Sequence, residues 1–179
     1  ACAALGLKFT AVFSDAFSLS KQQTMEAFGA TVIVEESHGQ GITPDLIGRM
    51  KQKAMMLCDE TGAFYADQFG SADVPLGFEP MGQEIAEELG DGIDIFCASV
   101  GTAGALMGTY RGLTKSGVSP RVVAFEPVQS PFLTTGKAGS HKVEGVGVGF
   151  YPPFLDQGVL SDVRTVDQEA GFEMCRRLA

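Results

Sequence analysis

The sequence has no tryptophan, two histidines and four cysteines. Cys2, Cys58, Cys97 and Cys175 stand far apart and form no Cys-x-x-Cys pair, so the tight ligand spacing of a zinc site is missing and no metal is expected. Free, scattered thiols point to a reducing, cytoplasmic setting. Cys97 lies in an apolar run and reads as a small buried hydrophobe. Neither His38 nor His141 has a Ser, Cys or Asp partner at motif spacing, so no hydrolase triad can be argued and both read as solvated loop residues. Positive charge is also scarce: 13 Lys and Arg face 22 Asp and Glu, a net charge of −9. Without a basic run the chain offers no nucleic-acid surface. A small anion held by backbone amides stays compatible with an acidic chain. The longest uncharged stretch, residues 95–110, is too short and too rich in Gly, Ser and Thr to span a bilayer, and no membrane partner is expected.

What is present can build a core. A chain of 179 residues, 45% hydrophobic and 20% charged, suffices for one compact domain, or most of one and part of another. No initiator Met and no basic region precede the apolar opening, so a signal peptide is not expected. Residues 172–179 read as a helix that stops without a Gly or Asn cap. The chain is therefore expected to be incomplete at both ends.

Strand and helix signals alternate. Residues 8–13 read as a buried strand, 20–28 as a helix capped by Ser18 or Ser20 and stopped by Gly29, and 31–35 as the next strand. Thr43-Pro44-Asp45 is a start signal for an amphipathic helix over 44–58. Residues 64–67 read as a short strand and 82–89 as a helix. The clearest unit is a strand over 93–99, a tight turn over 101–104, a helix over 105–113 and a strand over 121–125. This alternation implies parallel pairing through right-handed crossovers, an α/β fold. Residues 130–156, rich in Gly and Pro, read as an ordered loop system anchored by Phe132, Phe150 and Phe154.

Ligands of open α/β sheets bind beyond the carboxyl ends of the strands. The turn Ser99-Val100-Gly101-Thr102-Ala103-Gly104-Ala105 occupies such an end and opens a helix. Its small residues admit a ligand close to the backbone, its first-turn amides lack helical partners, and the helix dipole favours an anion such as phosphate. An empty strand-to-helix turn is the alternative reading. A P-loop is excluded because Gly-Lys-Ser/Thr is missing. A dinucleotide fingerprint fits poorly, since Gly101, Gly104 and Gly108 have the wrong spacing, although Glu126 stands at about the right distance for its acid. Gly145-Val146-Gly147-Val148-Gly149 suits a backbone passing close to a flat ligand, and equally a tight bend. Gln68, at the end of the short strand, suits a substrate carboxylate or a loop cap.

Four stretches in register resemble the cysteine synthase family of fold-type II pyridoxal-phosphate enzymes. Met25 to Ala30, leading into the strand after it, resembles the passage ending in Leu-Gly-Ala. Asp67-Gln68-Phe69 resembles Gln-Gln-Phe. Val100 to Ala105 resembles Val-Gly-Thr-Gly-Gly-Thr. Phe125-Glu126-Pro127, Ser130-Pro131-Phe132-Leu133 and the residues from His141 to Pro152 resemble Val-Glu-Pro, Ser-Pro-Val-Leu and His-Lys-Ile-Gln-Gly-Ile-Gly-Ala-Gly-Phe-Ile-Pro. The resemblance implies a three-layer α/β fold with mainly parallel sheets and helices on both faces. It places most of a small N-terminal domain in residues 1–60 and part of the larger cofactor-binding domain in 61–179.

The resemblance also implies pyridoxal 5'-phosphate as cofactor, its phosphate held by Gly101, Thr102, Ala103, Gly104 and Ala105. It implies Gly145 as a backbone position facing cofactor and substrate, and Gln68 as a ligand of the substrate carboxylate. The implied partner is a small amino acid, and the implied assembly a homodimer. Three departures stand out: Asp67 replaces a Gln, Ala103 and Ala105 replace a Gly and a Thr, and Ser14-Asp15-Ala16 replaces Pro-Glu-Ser/Thr. The family's Schiff-base lysine is expected upstream of this chain. Lys8, Lys21, Lys51, Lys53, Lys115, Lys137 and Lys142 match no such position, so no catalytic residue is assigned. The implied reaction is β-replacement on an activated serine, such as O-acetylserine plus sulfide giving cysteine and acetate. Cystathionine formation and serine or threonine deamination are the near alternatives, and a non-catalytic phosphate- or dinucleotide-binding module is the alternative of another class.

Overall fold

The computed structural model describes all residues, Ala1–Ala179. Chain packing divides them into two compact units, Ala1–Tyr65 and Ala66–Ala179. No helix is long and apolar enough to cross a membrane.

The first unit is built on two parallel strands, β1 (Thr10–Ser14) and β2 (Thr31–Glu35), joined through helix α1 (Leu19–Ala27). The aromatic, β-branched run predicted a buried strand from residue 8. The observed strand starts two residues later, at Thr10, which leaves Phe9 outside it and 42% exposed, and residues 11–13 within it are only half-buried. A two-stranded sheet has no central strand, so neither strand can be enclosed on all sides. Ser18 is the N-cap residue of α1, but its hydroxyl pairs with Ser20 rather than with a helix amide. Helix α2 (Pro44–Thr61) starts as its signal predicts: Pro44 stands at the first position and Thr43 accepts a bond from the Leu46 amide at 3.2 Å. Arg49 on α2 reaches Glu35 (3.0 Å) and the Glu36 carbonyl (2.8 Å), tying the helix to the end of β2.

The second unit holds a three-stranded parallel sheet in the order β3 (Ile95–Ser99), β4 (Arg121–Pro127), β5 (Leu160–Val166). Central β4 is the buried strand, with Val122 and Ala124 fully enclosed. Outer β3 alternates: Phe96 and Ala98 pack on the core, while Ile95 and Cys97 face outward. Cys97 is therefore exposed, contrary to the expectation from its apolar neighbours. The period of two in a strand, which a continuous apolar run conceals, puts its side chain on the other face.

Helix α3 (Asp73–Leu89) begins nine residues earlier than its sequence suggests, because Pro75, Gly77 and Pro80 disguise its first half. Proline fits the first turn, and the interior Pro80 gives up one backbone bond. Tertiary packing offsets that loss. Helix α4 (Gly104–Lys115) lies so close to α3 that a β-carbon on Gly112 would fall 2.0 Å from the Glu79 carbonyl oxygen. Lys115, at the far end of α4, pairs with Glu79 on α3. Leu106, Met107 and Leu113 are buried on α4, each contributing about 1.5–3 kcal/mol. This packing fixes the direction of α4, and so the place of its N-terminus. A short helix, α5 (Phe132–Thr135), follows β4, and α6 (Gln168–Leu178) follows β5.

Residues 64–67 form no strand. The Asp67 carboxyl accepts the Phe69 amide at 3.0 Å and the Asp67 carbonyl accepts the Ser71 amide at 2.9 Å. These local bonds bend the backbone into a turn in place of a sheet ladder.

Candidate functional site

Strand β3 ends at Ser99, and the chain turns through Val100–Ala103 into α4. Ala103 makes the turn possible with φ +66°, a left-handed conformation that costs an alanine about 1–2 kcal/mol. It is 3% exposed. The Thr102 hydroxyl oxygen accepts the Gly104 amide at 3.2 Å, which leaves its proton free to be donated outward. A β-carbon on Gly104 would meet the Val74 side chain of α3 at 2.4 Å, so any larger residue would have to push that side chain aside. The first turn of α4 contains no acidic side chain. None of residues 101–105 is ionisable, so the attraction this turn exerts on an anion comes from amides and helix dipole.

The second glycine-rich stretch lies directly against this turn. The Gly147 amide donates to the Val100 carbonyl at 2.9 Å, and a β-carbon on Gly101 would lie 2.2 Å from the Gly145 carbonyl oxygen. Gly145, Gly147 and Gly149 all have positive φ, +81°, +63° and +76°. Of the two readings of this stretch, the structure thus contains the tight bend, and it packs that bend on the turn that opens α4. Gln68 is exposed in the Asp67 turn. Its neighbour Phe69 packs against Phe150, at the end of the glycine stretch, with ring centroids 5.4 Å apart and planes tilted by 54°. The segments around Gln68, Gly101 and Gly145 are thus brought together in the second unit.

Two side chains here have surroundings that their sequence context does not reveal. Glu126, at the carboxyl end of β4, is 4% exposed, and its carboxyl oxygens accept the Leu133 amide (2.7 Å), the Thr134 amide (2.9 Å) and the Thr134 hydroxyl (2.7 Å). It is occupied in capping α5, which disposes of its reading as a dinucleotide ribose ligand. His141 is 3% exposed, so the solvated reading is wrong for it. Its Nε2 lies 2.9 Å from the Gly147 carbonyl oxygen, and its buried Nδ1 has no protein partner. A single polar-flanked histidine carries no signal of burial; the glycines that close over it are the only hint. His38, by contrast, is exposed, 3.6 Å from Glu36. All seven lysines, Lys8, Lys21, Lys51, Lys53, Lys115, Lys137 and Lys142, are exposed.

Comparison with known proteins bears on the family and the fold. Residues 1–179 match the family described as pyridoxal-phosphate dependent enzyme. The chain is 31% identical over 182 residues to a cysteine synthase B of Campylobacter jejuni, covering 99% of this chain and 58% of that protein. It is 34% identical over 174 residues to a cysteine synthase of Helicobacter pylori, covering 97% and 55%. The solved structure of an O-ureido-L-serine synthase superposes with a TM-score of 0.87 at 29% identity, covering 99% of this chain and 55% of that one. An O-acetylserine-dependent cystathionine β-synthase from Helicobacter pylori superposes at 0.86 with 33% identity, covering 99% and 56%. The chain thus spans about half the length of the relatives it matches.

Proposed function

The chain belongs to the family of pyridoxal-phosphate-dependent enzymes, and from that membership we propose that the whole protein, with the Schiff-base lysine that this chain does not supply, performs β-replacement on an activated serine, with O-acetylserine and sulfide giving cysteine and acetate. The observation that carries this reading is the contact between the Gly101 turn and the Gly145 bend at the N-terminus of α4. The residues fit the cofactor. A phosphate suits the amides of Thr102, Ala103 and Ala105 and the Thr102 hydroxyl, with Gly104 leaving room beside them, and the glycine backbone leaves room for a flat ring. When bound, pyridoxal phosphate supplies a sink for electrons at the amino-acid α-carbon, which makes departure of the β-substituent feasible.

The chain's own residues have binding roles. Amides and the Thr102 hydroxyl hold the phosphate. The Gly145 backbone faces cofactor and amino acid. The Gln68 side-chain amide donates to the substrate carboxylate. Ala105 lacks the hydroxyl that the family pattern has there, so this cradle makes one bond fewer. None of the seven lysines is assigned to proton transfer. The protein is proposed to act as a homodimer on small amino acids.

The O-acetylserine-dependent cystathionine β-synthase among the similar structures favours one second reading, in which the same donor meets homocysteine instead of sulfide. Steady-state assays of the whole protein, including the lysine expected upstream of this chain, decide between them. Acetate release from O-acetylserine that depends on sulfide supports the first reading, and dependence on homocysteine the second. No turnover of O-acetylserine, serine or threonine with either nucleophile overturns both.

A further inference from the structure

His141 is buried against Gly147 so tightly that a β-carbon on that glycine would lie 2.8 Å from Nε2 and 3.0 Å from Pro127. The ring's Nε2 is 2.9 Å from the Gly147 carbonyl oxygen. A carbonyl oxygen only accepts, so Nε2 carries the proton and donates it to Gly147. Nδ1 is enclosed without a protein partner. Burying a polar atom unpaired is unfavourable, and a leucine would fill the space without that cost. A histidine placed here is justified by the one bond it makes.

That bond completes a chain of contacts. Gly147 is held from both sides: its carbonyl by His141, and its amide by the Val100 carbonyl at 2.9 Å. Val100 in turn donates its amide to the Phe125 carbonyl at 3.0 Å, anchoring the turn to β4. Two residues before Gly147, the Gly145 carbonyl abuts Gly101. Three glycines at positive φ give the bend little stiffness of its own. Its shape must be set by such external bonds.

We propose that His141 is a positioning residue: by clamping the Gly147 carbonyl it fixes the Gly145–Gly149 bend against the Val100–Ala105 turn, and so sets the width of the cofactor cradle. The inference rests on the reading of that turn as a pyridoxal-phosphate cradle, and it adds a residue that touches neither cofactor nor substrate. Gln can reproduce the bond, because its side-chain amide also donates. Leu cannot.

The test compares the protein with His141→Leu and His141→Gln in three measurements: affinity for pyridoxal phosphate by fluorescence titration, amide exchange of Gly147, and thermal melting. His141→Leu is expected to weaken the cofactor about five- to ten-fold, the worth of one lost hydrogen bond, and to speed exchange at Gly147. His141→Gln is expected to restore both. Unchanged affinity and exchange in His141→Leu would overturn the inference, as would equal losses in both variants. Should the unsubstituted protein fail to bind pyridoxal phosphate, the cradle reading itself falls, whereas the exchange at Gly147 still shows whether His141 clamps the bend.

Discussion

Gly101 and Gly145 approach so closely that a β-carbon on the first would lie 2.2 Å from the carbonyl oxygen of the second. Their segments are far apart in sequence, and the contact joins the turn that opens α4 to a bend whose glycines all have positive φ. Gly101→Ala cannot be accommodated by a side-chain shift, because the obstacle is backbone. The substitution is expected to destabilise the protein by about 1–3 kcal/mol and to weaken pyridoxal phosphate more than the stability loss explains. Chemical denaturation and cofactor titration on the same variant measure the two effects.

Ala103 is strained at φ +66° where its family pattern has glycine. Ala103→Gly relieves the left-handed strain but loosens the unfolded chain, for a net gain of about 0.5–1 kcal/mol. Ala103→Val, branched at the β-carbon, is expected to lose more than about 2 kcal/mol at the same site. Denaturant midpoints of the pair check the signs.

Glu126 accepts three bonds from Leu133 and Thr134 while 4% exposed. Glu126→Gln keeps the shape but turns a donor toward a donor. It should cost about 1–3 kcal/mol and speed amide exchange at Leu133 and Thr134, with exchange in α4 unchanged.

Acid should weaken the fold through two carboxylates that accept backbone amides. The Ser37 amide, 2.6 Å from the Asp15 carboxyl, holds it below the ordinary aspartate value, helped by the Ser37 and Ser14 hydroxyls. The Ala170 amide, Gln129 and the Glu169 amide do the same for Asp167 at the start of α6. A lowered folded value means the folded state favours the charged form. The stabilisation is complete above the unfolded value, near 3.8, and is lost as the pH falls through the lower folded value. Melting temperatures measured from about pH 5 down to about pH 2 should fall. Asp167→Asn preserves the cap, since Asn caps as well as Asp, and should flatten part of that fall.

The parallel α/β architecture was legible because its strongest unit repeats the apolar strand, glycine turn and helix in order, and β2 lies where its β-branched run predicts. The close approach at the Val100–Ala105 turn was legible for the same reason: small residues at a strand end mark a close backbone approach wherever they occur. What escaped depends on contacts between distant segments. The first half of α3 carries two prolines and only its packing on α4 explains it, while β5 is an edge strand whose Leu-Ser-Asp-Val-Arg-Thr-Val pattern is too polar to stand out. Cys97 and His141 were read from their neighbours in sequence, but the sheet face decides the exposure of one and the Gly147 bend the burial of the other.

The most direct test of the cradle is titration of the protein with pyridoxal phosphate and with pyridoxal, followed by borohydride reduction, dialysis and peptide mapping. Tighter binding of the phosphorylated compound, competition by inorganic phosphate, and no label on any of the seven lysines of this chain are expected. Equal affinity for both compounds, or a fixed label on one of these lysines, would contradict the cradle reading.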